Sequence, residues 1–301
     1  MTEPIDGCGT LETCGGVLSA LAAAARAVAS RDLDPVINDP FAEVLVRAVE
    51  YEPLTQLIDS ATGLSDIGAD WFPAYFGIRS RTFDDFADGA TQVGIRQVVL
   101  LEPGLDCRAY RLDWPDTTAI YEIDRRAVID WKQCILSNLN SARLRAQHRY
   151  VPMDVGQQWP AKLRQAGFDE AKPTAWIAEG LFVGHPSATA QTKTLDTITA
   201  LSARASRVAA DYVDTRVPEL ASKAINDLLN MSRKHDPLGA LCNVTFPKLH
   251  DDLALSLDER GWITYTADLE ELFRDVGRAV PPAGDFPEYA KLTRFLSGVR
   301  T

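Results

Sequence analysis

The sequence predicts an α/β fold built on a mainly parallel sheet of about seven strands. From Gln97 onward, short apolar runs alternate with helix-like segments, which is typical of a sheet covered by helices on both faces. The composition, with 46% hydrophobic and 24% charged residues among 301, is that of a globular chain with a core. No repeat or long linker interrupts the pattern, so we expect a single domain.

The part of the chain before Gln97 is predicted to be helical. A long helix is expected between about Trp71 and Asp88, where phenylalanines recur at helical spacing. The apolar runs predicted as strands are residues 97–101, 118–123, 149–153, 174–178, 206–213 and 262–266, with one more near the C-terminus. The predicted parts of the domain are a helical N-terminal cap (1–92), a binding core (93–213), an insertion or lid (214–258) and the closing strands and helix of the core (259–301).

Ligands of open α/β sheets bind beyond the carboxyl ends of the strands, so those ends carry the candidate residues. Gly104 follows the first strand and allows the backbone to turn sharply beside a ligand. A dinucleotide fingerprint needs three glycines in the order GxGxxG, and this segment has only Gly104. A nicotinamide dehydrogenase is therefore a weak alternative, and the segment taken alone predicts an ordinary strand-to-helix turn.

Acidic residues follow the next three strands. Asp124 ends the second strand, where its carboxylate can accept hydrogen bonds from both hydroxyls of a ribose. After the third strand, Asp154 can accept from an adenine amino group and Val155 offers a backbone N–H; Glu179 follows the fourth strand. Each acid alone is more typical of a loop or a helix cap. Together with Gly104 they favour an adenosyl ligand without phosphates.

Arg79 lies on the aromatic face of the long helix, where a guanidinium needs a partner. One interpretation is an ion pair with Asp84, Asp85 or Glu179. The other, slightly favoured, is a clamp on the carboxylate in the methionyl half of an S-adenosylmethionine ligand. Arg81 points elsewhere on the helical wheel and is the weaker candidate for the clamp.

Charge and cysteine content exclude several other classes of protein. A formal net charge of −11 disfavours a general affinity for nucleic acid or for an anionic membrane, and leaves a small molecule as the expected partner. The five cysteines form no CxxC pair and the four histidines do not cluster with them, so we expect no metal site. Reduced thiols, an acidic N-terminus and the lack of a long apolar stretch predict a cytoplasmic protein.

Several long segments carry a family resemblance, among them YFGIRSRTFDDF, GIRQVVLLEPGLDCRAYRL, AGFDEAKPTAWIAEGL and ITALSARASRVAADYV. From about Ala25 to the C-terminus the chain resembles the actinobacterial, chiefly mycobacterial, S-adenosylmethionine-dependent methyltransferases related to leucine carboxyl methyltransferases. The resemblance implies a Rossmann-like class I methyltransferase fold with S-adenosyl-L-methionine as the cofactor. It also implies a cofactor site made of Arg79, Gly104, Asp124, Asp154, Val155 and Glu179.

Two departures from the family pattern concern this site. Glu102-Pro103 replaces a pair of small residues before the glycine, and Pro103 has no N–H to donate. The segment EGLFVGHP has Gly184-His185 where relatives have a Tyr-Leu pair, which removes any substrate role of that tyrosine. His185 is a candidate general base, although a solvated loop histidine is the favoured interpretation, so no catalytic residue is assigned.

The predicted reaction is O-methylation of a small molecule, on a carboxylate or a hydroxyl. A carboxylate is already ionised and needs no base, whereas a hydroxyl benefits from one. A protein carboxyl methyltransferase acting on a chain terminus is an alternative that needs an open cleft. A cofactor-binding protein without turnover is another, motivated by the two departures. The sequence does not predict the oligomeric state.

Overall fold

The computed structural model describes residues 14–60, 63–66, 70–139, 142, 146–153, 159–183, 188–214, 216, 219–220, 222–223, 252–282 and 285–301. Their strands form one seven-stranded sheet, which confirms the predicted α/β fold. In chain order the strands are β1 Gln97–Leu101, β2 Ala119–Arg125, β3 Gln147–Met153, β4 Ala175–Ala178, β5 Arg207–Val213, β6 Trp262–Asp268 and β7 Thr293–Arg300.

The strands are arranged in the order β3-β2-β1-β4-β5-β7-β6. The first five are parallel, and β7 is antiparallel to both of its neighbours, β5 and β6. The direction of winding reverses between β1 and β4, because β2 and β3 lie on one side of β1 and the later strands on the other. Ligands of such sheets bind at this reversal point, beyond the carboxyl ends of β1 and β4.

Five described helices precede β1: α1 Cys14–Ala29, α2 Ala42–Ala48, α3 Glu52–Asp59, α4 Gly63–Asp66 and α5 Trp71–Gln92. The helices described after β1 are α6 Arg108–Arg111, α7 Arg126–Ser137, α8 Trp159–Gln165, α9 Ala188–Ala200, α10 Leu253–Asp258, α11 Leu269–Asp275 and α12 Glu288–Leu292. The helical character predicted for the N-terminal part thus holds over its described residues.

Alternate residues of β1 belong to two different hydrophobic clusters, one on each face of the sheet. Val98 and Leu100 pack with residues of α1 and α5, whereas Val99 and Leu101 pack with residues of α9 and α10. Every residue of β1 is buried, as expected of a central strand covered on both faces. No helix among the described residues is both long and apolar enough to cross a bilayer.

Some predictions fall on residues that the structure does not describe. They include Asp154, Val155, Gly184, His185 and most of the insertion at 214–258, so the division of the chain into four parts stays a prediction. The expectation of wholly reduced thiols is wrong for Cys134, which is disulfide-bonded. Cys107 is a free thiol, buried in the larger hydrophobic cluster.

Candidate cofactor site

The carboxyl ends of β1, β2 and β4 bring three of the predicted residues to one edge of the sheet. Gly104 follows β1, Asp124 is the penultimate residue of β2, and Glu179 follows β4 directly. β1 pairs with both β2 and β4, so it lies between them at the reversal point. The strand topology therefore places these residues where ligands of α/β sheets bind.

Asp124 holds the glycine turn in place. Its Oδ2 accepts the backbone N–H of Gly104 (N···O 2.7 Å), and its Oδ1 accepts the N–H of Arg125 (2.7 Å). Burial raises the pKa of the Asp124 carboxyl above its ordinary value, against the lowering effect of these two hydrogen bonds. Each carboxylate oxygen has two lone pairs, so one remains on each oxygen for a ribose hydroxyl.

Two features of the turn require a glycine at position 104: the backbone conformation and the closeness of Ser19. Its φ of +54° is a conformation that residues with a side chain rarely adopt. A Cβ on Gly104 would also lie 2.7 Å from the Cβ of Ser19 in α1, closer than carbon atoms approach each other. Helix α1 therefore packs directly against the turn.

The turn has few backbone donors to offer a ligand. Pro103 has no N–H, Gly104 donates to Asp124, and the N–H of Leu105 donates to the Ser19 hydroxyl. Arg26 of α1 binds the other side of the same segment, donating from Nη2 to the carbonyl oxygen of Leu105 (2.8 Å). A carboxylate on a ligand at this edge would thus need side-chain donors.

Arg79 is buried and forms ion pairs with two acids, of which Glu179 was predicted and Asp211 was not. Its Nε donates to Asp211 Oδ2 of β5 (2.9 Å) and lies 3.7 Å from Glu179 Oε1. Asp84 instead pairs with Arg108 and Arg111, and Asp85 pairs with the half-exposed Arg81. Asp211 was not among the predicted partners, because a residue inside an apolar strand gives no signal of a partner 132 positions away.

Glu179 lies between two guanidinium groups. Its Oε2 accepts a hydrogen bond from Arg108 Nη2 (2.7 Å), and its Oε1 lies near Arg79. Burial alone would raise the pKa of Glu179, but Arg108 and Arg79 outweigh it and hold the pKa below its ordinary value. Glu179 is therefore an ionised carboxylate within a buried ionic network.

The same network reaches the glycine turn through Arg108. This fully buried arginine pairs with Asp106, two residues beyond Gly104, and with Asp84 of α5 (Nε···Oδ1 3.2 Å). The turn, the acid after β4 and helix α5 are thus joined by charged side chains. Buried charges are tolerated only when they are paired in this way.

A second set of buried charged residues contacts the segment that follows Gly104. Lys132 of α7 pairs with Glu122 of β2 (2.9 Å) and donates from Nζ to the carbonyl oxygen of Asp106 (3.0 Å). His148 of β3 lies 3.4 Å from Glu122. The predicted site did not include these residues, because a charged pair between a strand and a helix has no local sequence signature.

The adenine end and the predicted base stay predictions, because Asp154, Val155 and His185 lie outside the described residues. Within the part of the chain that the structure describes, no three His, Cys, Asp or Glu side chains are placed to hold a metal ion. Oxygen acceptors at Asp124 and an ionised acid beside Arg79 fit a ribose and an amino-acid group, respectively. The site thus suits the adenosyl and methionyl halves of one ligand.

The strand order, with antiparallel β7 between β5 and β6, and the glycine turn facing an acid at the end of β2 define a class I methyltransferase. Residues 19–199 match the leucine carboxyl methyltransferase family. The chain belongs to this family and is a methyltransferase.

Two relatives and one solved structure set the scale of the similarity. A Mycobacterium marinum protein is 38% identical over 291 residues, covering 95% of this chain and 94% of its own length. A Mycolicibacterium vanbaalenii protein is 41% identical over 281 residues, covering 90% of each chain. Both are described, by inference, as S-adenosyl-L-methionine-dependent methyltransferases. The crystal structure of a DUF574 family protein from Streptomyces avermitilis shares the fold (TM-score 0.51, 13% identity, 93% of this chain and 97% of that one).

Proposed function

We propose that the protein transfers the methyl group of S-adenosyl-L-methionine to an oxygen atom of a small molecule. The observation that carries the proposal is the hydrogen bond between Gly104 and Asp124, which holds a sharp turn beside the carboxylate that we propose for the ribose. The cofactor is the one in the descriptions of the mycobacterial relatives. Membership of the leucine carboxyl methyltransferase family supports an oxygen atom as the acceptor.

Each part of the cofactor has a group suited to it. Asp124 accepts the ribose hydroxyls, and Arg79 binds the methionyl carboxylate, for which the turn has few backbone donors left. Glu179 faces the methionyl ammonium group with the charge that its two arginines stabilise. Asp154 and Val155 are proposed for the adenine.

Methyl transfer from a sulfonium is an in-line displacement, in which the acceptor oxygen attacks the methyl carbon as the bond to sulfur breaks. The cofactor supplies the activated methyl group when bound. The protein therefore acts chiefly by aligning the two reactants and by excluding water, and alignment of this kind lowers the barrier by about 7–11 kcal/mol at most. An ionised carboxylate acceptor needs no base, whereas a hydroxyl acceptor would assign that role to His185.

The test is transfer of a radioactive methyl group from labelled S-adenosyl-L-methionine to a metabolite extract, followed by separation by size. Label in a small molecule that separates from S-adenosyl-L-methionine by chromatography, and that is absent without the protein, supports the proposal. Treatment of that fraction with alkali then separates the two acceptor types, since methyl esters release methanol and methyl ethers do not.

Two results would contradict the proposal in different ways. Label confined to the macromolecular fraction would favour the protein carboxyl methyltransferase. Saturable cofactor binding with no label in either fraction, across extracts from several growth conditions, would favour a binding protein without turnover. An Asp124→Ala variant serves as the blank, because it should transfer no label to any fraction.

A further inference from the structure

Asp211 is a fully buried carboxylate that binds two residues of the candidate site at once. Its Oδ2 accepts from Nε of Arg79 (2.9 Å), and its Oδ1 accepts the backbone N–H of Gly180 (2.6 Å). Arg79 belongs to α5 and Gly180 follows Glu179 at the end of β4. One side chain of β5 thus fixes the guanidinium plane and the turn that carries Glu179.

The packing around Gly180 leaves little freedom in this arrangement. Gly180 has a φ of +77°, and a Cβ at this position would lie 2.8 Å from Nη2 of Arg79. The guanidinium therefore rests directly on the backbone of the turn. A displacement of Arg79 relative to the turn by about 1 Å would break one of the two hydrogen bonds to Asp211.

We propose that Asp211 is a positioning residue that orients Arg79 and Glu179 toward the methionyl half of the cofactor. The proposal rests on the proposed function, in which those two residues bind that half. Asp211 itself does not touch the cofactor. It acts as the supporting partner whose loss leaves the binding groups in place but loosely oriented.

Asp211→Asn is the informative substitution, because asparagine keeps the shape and has only one acceptor oxygen. Its NH2 group replaces one of the two oxygens and is itself a donor, so it faces either Nε of Arg79 or the N–H of Gly180, and that buried donor loses its acceptor. Such a loss weakens an interaction by about 5- to 100-fold. We expect a weakening of this size in the affinity for S-adenosyl-L-methionine.

The decisive comparison uses 5′-methylthioadenosine, which has the adenosyl half of the cofactor and lacks the amino-acid group. Calorimetric titrations of the parent protein and the variant with both compounds distinguish a loss of binding to the amino-acid group from a loss of the whole binding site. We expect Asp211→Asn to weaken S-adenosyl-L-methionine and to leave 5′-methylthioadenosine within about twofold. Equal weakening of both compounds, or no weakening of either, would overturn the proposal.

Two further variants keep the test informative. Asp196→Asn removes an acid that pairs with Arg260 (2.8 Å) far along the chain, and should change neither affinity. If Asp211→Asn does not fold, Gly180→Ala displaces Arg79 while Asp211 is retained, and should give the same selective loss. Failure of the parent protein to bind S-adenosyl-L-methionine at all would contradict the proposed function and not the role of Asp211 alone.

Discussion

The carboxylate of Asp124 accepts the backbone N–H of Gly104 across 2.7 Å, which ties the end of β2 to the turn after β1. The acid that we assign to the ribose is therefore also the acid that shapes the turn. A change at either residue should disturb both the local backbone and the binding of the cofactor.

Gly104→Ala should destabilise the protein and weaken cofactor binding. The positive φ and the close approach of Ser19 together predict a loss of about 2 kcal/mol or more in the free energy of unfolding. Urea denaturation measures the change. Ser19→Gly makes room for the new Cβ but also removes the acceptor of the Leu105 N–H, so the loss from Gly104→Ala should be smaller in the Ser19→Gly background than in the parent; an equal loss in both backgrounds would mean that the contact with α1 is unimportant.

Cofactor affinity should fall in acid as Asp124 becomes protonated. Because the pKa of this buried carboxyl is raised, protonation begins at a higher pH than for an ordinary aspartate. A protonated acid accepts fewer hydrogen bonds, so the dissociation constant should rise by up to about tenfold per pH unit below that pKa. Titrations between neutral and mildly acidic pH test this. Asp124→Asn should bind weakly with a flatter profile, and an unchanged slope in that variant would assign the titration to another group.

Lys132→Met should be strongly destabilising, because it leaves Glu122 buried without its cation. Breaking one partner of a buried pair costs about 3–5 kcal/mol. The double variant Lys132→Met/Glu122→Gln should be considerably more stable than the single one. Thermal and urea unfolding of the four proteins of this cycle give the coupling energy, and additive losses would show that the two groups do not interact.

The Lys132–Glu122 pair should also affect how the free energy of unfolding changes at acid pH. Lys132 and His148 hold the pKa of Glu122 below its ordinary value of 4.5, against the raising effect of burial. The pKa of Glu122 is thus lower in the folded protein than in the unfolded chain. The pair therefore stabilises the protein fully at pH values above the pKa of the unfolded chain, and this stabilisation is lost as the pH falls through the pKa of the folded protein. The double variant should therefore lose less stability in acid than the parent, as followed by urea unfolding at several pH values.

Glu102→Gly should stabilise the turn. Glu102 has a φ of +46°, a conformation that costs a residue with a side chain about 1–2 kcal/mol. Glycine avoids this strain, but its greater freedom in the unfolded chain lowers the free energy of unfolding by about 0.5–1 kcal/mol. We expect a small net gain of about 0.5 kcal/mol in the free energy of unfolding. Glu102→Ala removes the same carboxylate without relieving the backbone, so a gain in that variant instead would point to charge as the cause.

The elements of the fold were predictable because each rests on local pattern. The run QVVLL coincides with β1, since a strand buried on both faces is apolar at every position. The helix expected from Trp71 to Asp88 begins at Trp71 and extends to Gln92. The glycine turn and the acid at the end of β2 were predictable because strand ends are where this topology places its ligands.

The partners within the site were less predictable, because they depend on packing between distant segments. Ser19 meets Leu105 from 86 positions away, and Asp211 meets Arg79 across 132. Asp84 was expected beside Arg79 on the same helix but faces Arg108 and Arg111. Spacing along one helix indicates which residues share a face, and only the fold decides what that face meets.

The most direct test of the central claim is calorimetric titration of the protein with S-adenosyl-L-methionine, in parallel with Asp124→Ala, Arg79→Ala and Arg81→Ala. Among the described residues, Arg81 pairs at the surface with its helical neighbour Asp85, so its loss should cost about 0.5 kcal/mol at most and leave the affinity unchanged. The account predicts saturable binding to the parent and to Arg81→Ala, and a loss in the other two variants. A folded parent that does not bind, or variants that bind equally well, would contradict it.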